Sequence, residues 1–333
     1  MKALPILAAA VGVAAIAALV GYFGAGPVMR SLLAVGGIGF AAICAIHLVL
    51  MAAMGLAWRA LLPGAPMWTA LWGRVVRDSG SELLPFSQVG GYVLGARALA
   101  LAGVPGTLAA ASTIVDVTLE FVAQLAYTAL GLVWLVRLQP ASAAATPVMV
   151  GLAVAIFAAG AFFLVQRHGF DYFDRIARIL GRGWAERGAA GAAALHVALA
   201  AIYRRRGGLW LNFSLHLGCW IASAVEVWLA LRLADEPLSF GAVLVLESML
   251  YAVRAAAFVV PNAVGVQEGA YILLGATFGL TPEMALALSL LKRARDIAIG
   301  IPTLAAWQAL ESGRLWRRRG GAAGNRIPAA SQD

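Results

Sequence analysis

Stretches of twenty or more apolar residues dominate this chain and leave few folds open to it. A helix needs about 20 such residues to cross a hydrocarbon layer roughly 30 Å thick. Five stretches qualify as simple spans: about 4–23, 32–58, 107–136, 147–166 and 209–231. A sixth, about 283–310, qualifies despite a polar cluster near its middle. Composition agrees, with 62% of residues hydrophobic and 12% charged, where soluble domains carry about 45–50% and about 25%. The expected class is an all-α polytopic membrane protein. A soluble enzyme, a disordered chain and a disulfide scaffold are excluded. Cys44 and Cys219 lie inside apolar runs, so neither a disulfide framework nor a metal site is indicated.

Two further stretches, 67–102 and 238–280, are apolar only in part, because Pro, Gly and charges interrupt them. The first span, after Lys2, reads as a retained helix, with a cleaved signal peptide as the alternative. Orientation follows from Lys and Arg in the loops. Loop 167–208 holds eight arginines and the tail after Glu311 five, while loops 24–31, 137–146 and 232–237 hold one each. The loop and the C-terminal tail are therefore expected on the cytoplasmic side of an inner membrane. The net charge of +9 then points to anionic inner-leaflet lipids as partners and not to nucleic acid. Counting crossings makes segment 67–102 begin and end inside, and segment 238–280 begin and end outside. Each must be a re-entrant hairpin or a pair of short helices, a path that survives only when buried in protein or lining a polar cavity. Within the loop, Phe170, Phe173, Ile176, Leu180 and Trp184 recur at helical spacing among arginines. They predict an amphipathic helix on the inner leaflet, with a plain connector helix as the alternative.

The two interrupted segments resemble each other. One reads Leu83-Leu84-Pro85, Gly90-Gly91, Gly103-Val104-Pro105; the other Val259-Val260-Pro261, Gly265, Gly279-Leu280-Thr281-Pro282. From the first Pro to the Gly before the second is 18 residues in both. Gln88 follows one break and Gln267 the other. Polar clusters follow each: Asp116, Glu120 and Gln124, then Lys292, Arg293, Arg295 and Asp296. Matching broken segments that enter from opposite faces suggest an inverted repeat, about 32–136 against 209–310, with a binding site near the midplane. The single membrane domain would span 1–310, with 311–333 as a basic tail.

Charges inside the membrane cost roughly 2.5–3.5 kcal/mol each on insertion scales. Asp116, Glu120 and Gln124 share one helical face. They read either as a polar, proton-linked track or as a stripe neutralised by Arg77 or Arg97. Lys292 and Asp296 are spaced to pair within their own helix, leaving Arg293 and Arg295 for a phosphate or Glu268. Arg77 and Arg254 are candidates for an anionic headgroup, because Arg can hold phosphate bidentately. Alternatively they neutralise Glu82, Glu247 or Asp78. Glu226 stands alone in its span, either protonated or paired with Arg254. His47 and His216 read as interhelical hydrogen-bonding groups. No nucleotide loop, dinucleotide fingerprint or nucleophile elbow is visible.

The run Leu83-Leu84-Pro85-Phe86-Ser87-Gln88-Val89-Gly90-Gly91 and the stretch Ala110–Asp116 resemble the hopanoid-biosynthesis-associated HpnL membrane proteins. So do Gly265-Val266-Gln267-Glu268-Gly269 and Leu290–Asp296. That group is similar to the flippase-like family that includes the membrane region of lysylphosphatidylglycerol synthases. Two positions depart from the family pattern: Asn262 stands where Gly usually follows Pro, and Tyr92 where an acidic residue is expected after the Gly pair. The resemblance implies a lipid flippase for a hopanoid or related polyprenyl lipid, without the synthases' aminoacyl-transfer domain. The two broken segments would form its site, with candidate substrate-binding residues Arg77, Glu82, Gln88, Asp116, Glu120, Arg254, Gln267, Glu268, Arg293 and Asp296. No catalytic residue, metal or cofactor is assigned. The alternatives are a catalytic or non-catalytic membrane subunit that works with hopanoid-biosynthesis proteins, and a scaffold for such an assembly.

Overall fold

A computed structural model describes residues 17, 20–22, 25–84, 87–140, 146, 148–162, 164, 182–257 and 260–324. Among these residues every regular element is a helix. After α1 (Ala25–Ala34) come α2 (Gly36–Ala60), α3 (Met67–Leu83), α4 (Ser87–Leu101) and α5 (Gly106–Leu138). Then follow α6 (Val148–Phe162), α7 (Arg182–Arg204), α8 (Arg206–Leu233), α9 (Phe240–Ala256), α10 (Val266–Ala276) and α11 (Pro282–Gly324). Helices α2, α5 and α8 are long and apolar enough to cross a membrane, where the sequence predicts spans. Helix α6 covers part of the span expected at 147–166 and points Val150, Val154 and Phe157 outward. Helix α11 continues past residue 311 to Gly324.

The span expected at 4–23 and the surface helix expected between Phe170 and Trp184 lie largely outside the described residues. The second half of loop 167–208 carries no expectation from the sequence. It is helix α7, and Leu195, Leu199 and Ile202 form a stripe along it. Leu199 and Ile202 bury that stripe against Trp58, Leu61 and Leu99.

Both interrupted segments are pairs of short helices. Helices α3 and α9 have 17 residues each, α4 has 15 and α10 has 11. At about 1.5 Å per residue the longest reaches about 26 Å, short of a hydrocarbon core of about 30 Å. Helix α3 stops because Leu84, ahead of Pro85, is extended at ψ 143°, as a pre-proline residue prefers. The second segment breaks in a 3-10 turn, Pro261–Ala263, where Asn262 (φ 49°) and Ala263 (φ 46°) are left-handed. Asn tolerates that region through its short polar side chain.

Helices α3 and α4 lie tightly together because Gly91 has no side chain. A Cβ there would sit 2.4 Å from the Arg77 carbonyl oxygen and 2.0 Å from Ser81 Oγ. The two halves of the chain interleave: α2 runs along α8, α3 along α11, and α9 along α5. Gly131 sets the last crossing, since its Cβ would meet Ser248 Oγ of α9 at 1.7 Å. The largest core gathers Tyr127, Leu231, Leu246, Leu250 and Tyr271 from both halves.

Candidate substrate cavity

Where the interleaved helices diverge, they leave a cavity of about 410 Å³. Its wall comes from α2, α3, α4, α5, α8, α9 and α11, and charged side chains line much of it.

One group of charges spans α3 and α5. Arg74, Arg77 and Asp78 share a face of α3; Asp116 and Glu120 share a face of α5. Arg74 donates from Nε to Asp78 (2.7 Å) and from both terminal nitrogens to Glu120 (2.7 and 3.0 Å). Arg77 donates to Asp116 Oδ2 and to Glu120. Asp116 Oδ1 accepts from Asn212 Nδ2 at 2.7 Å and meets His216 Nε2 at 3.0 Å, both on α8. The Arg77 guanidinium also lies 4.8 Å from the Tyr92 ring and 5.7 Å from the Trp58 ring. Tyr92 thus offers this cation a π face.

A second group spans α2, α8 and α11. Glu226 receives Arg295 on one oxygen and meets His47 Nδ1 on the other at 2.9 Å. Arg295 also donates to the neighbouring Asp296 at 2.7 Å. The third feature is a clasp between the two breaks. Arg254 Nη2 reaches both oxygens of Glu82 at 3.1 Å and Asn262 Oδ1 at 2.9 Å. Asn262 Nδ2 donates in turn to the Glu82 carbonyl oxygen at 2.8 Å.

Of the predicted site residues, Arg77, Glu82, Glu120, Arg254 and Asp296 line the cavity. Asp116 stands directly behind Arg77. Gln267, Glu268 and Arg293 form a separate brace at the start of α10. Glu268 accepts from the Gly265 backbone N–H (2.7 Å), Ser289 Oγ (2.8 Å) and Arg293 Nε (2.6 Å). Gln267 donates to Ser289 at 2.8 Å. A carboxylate at the third position of a helix caps its free N–H groups and meets the positive end of its dipole. These three residues hold the second hairpin in shape. The side chain of Gln88 lies outside the described residues.

Several expected pairings are corrected. Lys292 does not pair with Asp296. It donates to Glu247 on α9 at 2.7 Å, where Tyr271 also donates. Glu247 is fully buried and needs a cation more than Asp296, which already has Arg295. Glu226 is neither alone nor held by Arg254, since Arg295 and His47 reach it. Arg97 does not serve the acidic stripe of α5 but reaches Glu311. The stripe is neutralised by Arg77, as one of the two alternatives has it, and also by Arg74, which was not among the expected site residues. Its signal was the Arg74–Asp78 spacing on the helix already carrying Arg77. His47 and His216 do bridge helices.

Asp116, Glu120 and His216 bring potential ligand atoms within 4.8 Å of one another. Two guanidiniums already hold both carboxylates, so a divalent cation would face two adjacent positive charges. The arrangement is an ion-pair network. Its use is to keep paired donors and acceptors inside an otherwise apolar bundle, where an isolated charge would be costly.

The fold and the cavity define a polytopic all-α membrane protein with a charged chamber among its helices. The chain belongs to the family of the lysylphosphatidylglycerol synthase transmembrane region, whose model matches residues 6–302. It is thus a membrane protein of lipid-related function. No curated protein and no solved structure matches it significantly.

Proposed function

We propose that this protein is a flippase that moves a hopanoid or a related polyprenyl lipid between the leaflets of the inner membrane, and is a transporter rather than an enzyme. The observation that carries the reading is the charged cavity, set where two broken hairpins meet. A polar headgroup can exchange hydrogen bonds with such a wall while its apolar tail stays in lipid. The interleaving of the halves supports an inverted repeat, because each half lays the first helix of its hairpin on the last long helix of the other. The Pro-Phe-Ser-Gln-Val-Gly-Gly run, residues 85–91, supports the narrower kinship with the hopanoid-associated proteins.

The wall also bears on the headgroup. Arg74, Arg77, Arg254 and Arg295 line the cavity, but so do Asp78, Glu82, Glu120, Glu226 and Asp296. Each guanidinium is already paired. An anionic group would have to displace a carboxylate from a wall with a negative excess, so a hydroxylated, uncharged headgroup fits better.

The test compares leaflet distribution and total amounts of lipids in a deletion strain and in wild type. The outcome expected is unchanged totals with one lipid class shifted between leaflets, restored by the native gene and not by Arg77→Ala. Outright disappearance of a lipid species would replace transport with a role in synthesis.

A further inference from the structure

The charges inside the bundle do not cancel, and a histidine stands at each place where they fail to. Among the described residues, three pairs set one cation against one anion: Arg254 with Glu82, Lys292 with Glu247, and Arg293 with Glu268. The cluster on α3 and α5 sets Arg74 and Arg77 against Asp78, Asp116 and Glu120, leaving one negative charge uncompensated. The cluster on α8 and α11 sets Arg295 against Glu226 and Asp296, leaving another. His216 touches Asp116 in the first and His47 touches Glu226 in the second. An uncompensated charge in a medium of low dielectric is expensive, and a protonated imidazole at either place removes it.

The two places differ in access. His216 is fully buried, and its Nδ1 meets no partner among the described residues. Asp116 already accepts from Arg77 and Asn212, so it is satisfied without a doubly protonated imidazole. The His47 side chain is 24% exposed and lines the cavity. It sits about 16–20 Å from either end of α2, near mid-membrane. Arg295 holds one oxygen of Glu226, so the other accepts from His47 Nδ1–H. Nε2 is then the basic nitrogen.

We propose that His47 and Glu226 form a proton-binding site in the cavity wall. Nε2 takes a proton from cavity water, Nδ1–H stays on Glu226, and no other bond changes. Joined to the transport reading, this site couples lipid movement to a proton gradient, and that coupling alone rests on the proposed function. The groups facing the pair are Cys44 on α2 and Arg295, Asp296 and Lys292 on α11. Tyr251 and Arg254 on α9, Arg74, Arg77, Asp78 and Glu82 on α3, Tyr92 on α4 and Glu120 on α5 face it across the cavity. Imidazole is the side chain suited to exchanging a proton near neutral pH, and the His47 ring is the imidazole that lines the cavity and touches Glu226.

The experiment is NMR of histidine-¹⁵N-labelled full-length protein in lipid nanodiscs as pH is lowered from about 9 to about 5. His47→Gln and His216→Gln assign the signals by their loss. The His47 signal should pass from a singly protonated ring bearing its hydrogen on Nδ1 to a doubly protonated one. Glu226→Gln should move the His47 transition to lower pH by about one unit or more, because the anion favouring the cation is gone. Asp296→Asn removes a charge from the same cluster without touching the pair and should move it the same way by less. A His47 signal that does not change, or a transition that both substitutions leave in place, overturns the proposal. The readout uses no transported lipid, so its failure is distinct from failure of the transport reading.

Discussion

Asp116 holds the first cluster together. It is fully buried, and Arg77, Asn212 and His216 all end on it. Replacing it by Ala leaves three buried groups short of an acceptor and Arg77 with Glu120 alone. Breaking a buried ion pair by removing one partner costs about 3–5 kcal/mol, so Asp116→Ala should lower the unfolding midpoint sharply in detergent. Asp116→Asn keeps the shape and one acceptor oxygen but loses the charge, and should be intermediate. Equal losses for both would place the effect in charge, and no loss for Asn would place it in hydrogen bonding. This residue was legible because an acidic group four residues before Glu120 in an apolar span needs a reason. Its partners Asn212 and His216 were not, since nothing in sequence brings residue 212 to residue 116.

At the scale of elements, the hairpin α3–α4 depends on Gly91. Valine there would drive side-chain carbon into the Arg77 backbone, and backbone cannot yield as a flexible side-chain end can. Gly91→Val should therefore destabilise by about 1–3 kcal/mol and shift Arg77 away from Asp116 and Glu120. Thermal unfolding and leaflet distribution should fail together, whereas Gly151→Val on α6, where a Cβ meets nothing within 4 Å, should change neither. The break at Pro85 could be read because a pre-proline residue such as Leu84 prefers extended backbone, whereas Pro302 is carried inside α11, so proline alone does not mark a break. Pairing within elements could not. The spacing of Lys292 and Asp296 suits a local pair worth only about 0.2–0.5 kcal/mol on an exposed helix. Glu247, buried against the same helix, makes a far stronger demand on Lys292. Tertiary burial decided the partner, and burial across 45 residues of chain has no local signature.

At the scale of the molecule, the two halves hold each other. The first helix of each hairpin lies on the last long helix of the other half, and the clasp joins the hairpins at their breaks. The sequence carried a part of this, since segments 83–103 and 259–280 match in spacing and Glu82 was among the carboxylates open to Arg254; it did not bring Asn262 to the same contact. That contact makes a reciprocal prediction. Glu82→Arg alone sets two guanidiniums face to face, and Arg254→Glu alone sets two carboxylates face to face. Each should lose about 3 kcal/mol or more of stability and fail to restore leaflet distribution in the deletion strain. The double exchange, Glu82→Arg with Arg254→Glu, brings opposite charges together again. Asn262 has both a donor and an acceptor on its amide and can serve the reversed pair by turning over. At least half of the stability lost by the worse single substitution should return. A double variant no better than that single one would mean that residues 82 and 254 do not meet, and the interleaved arrangement of the halves would fail with it.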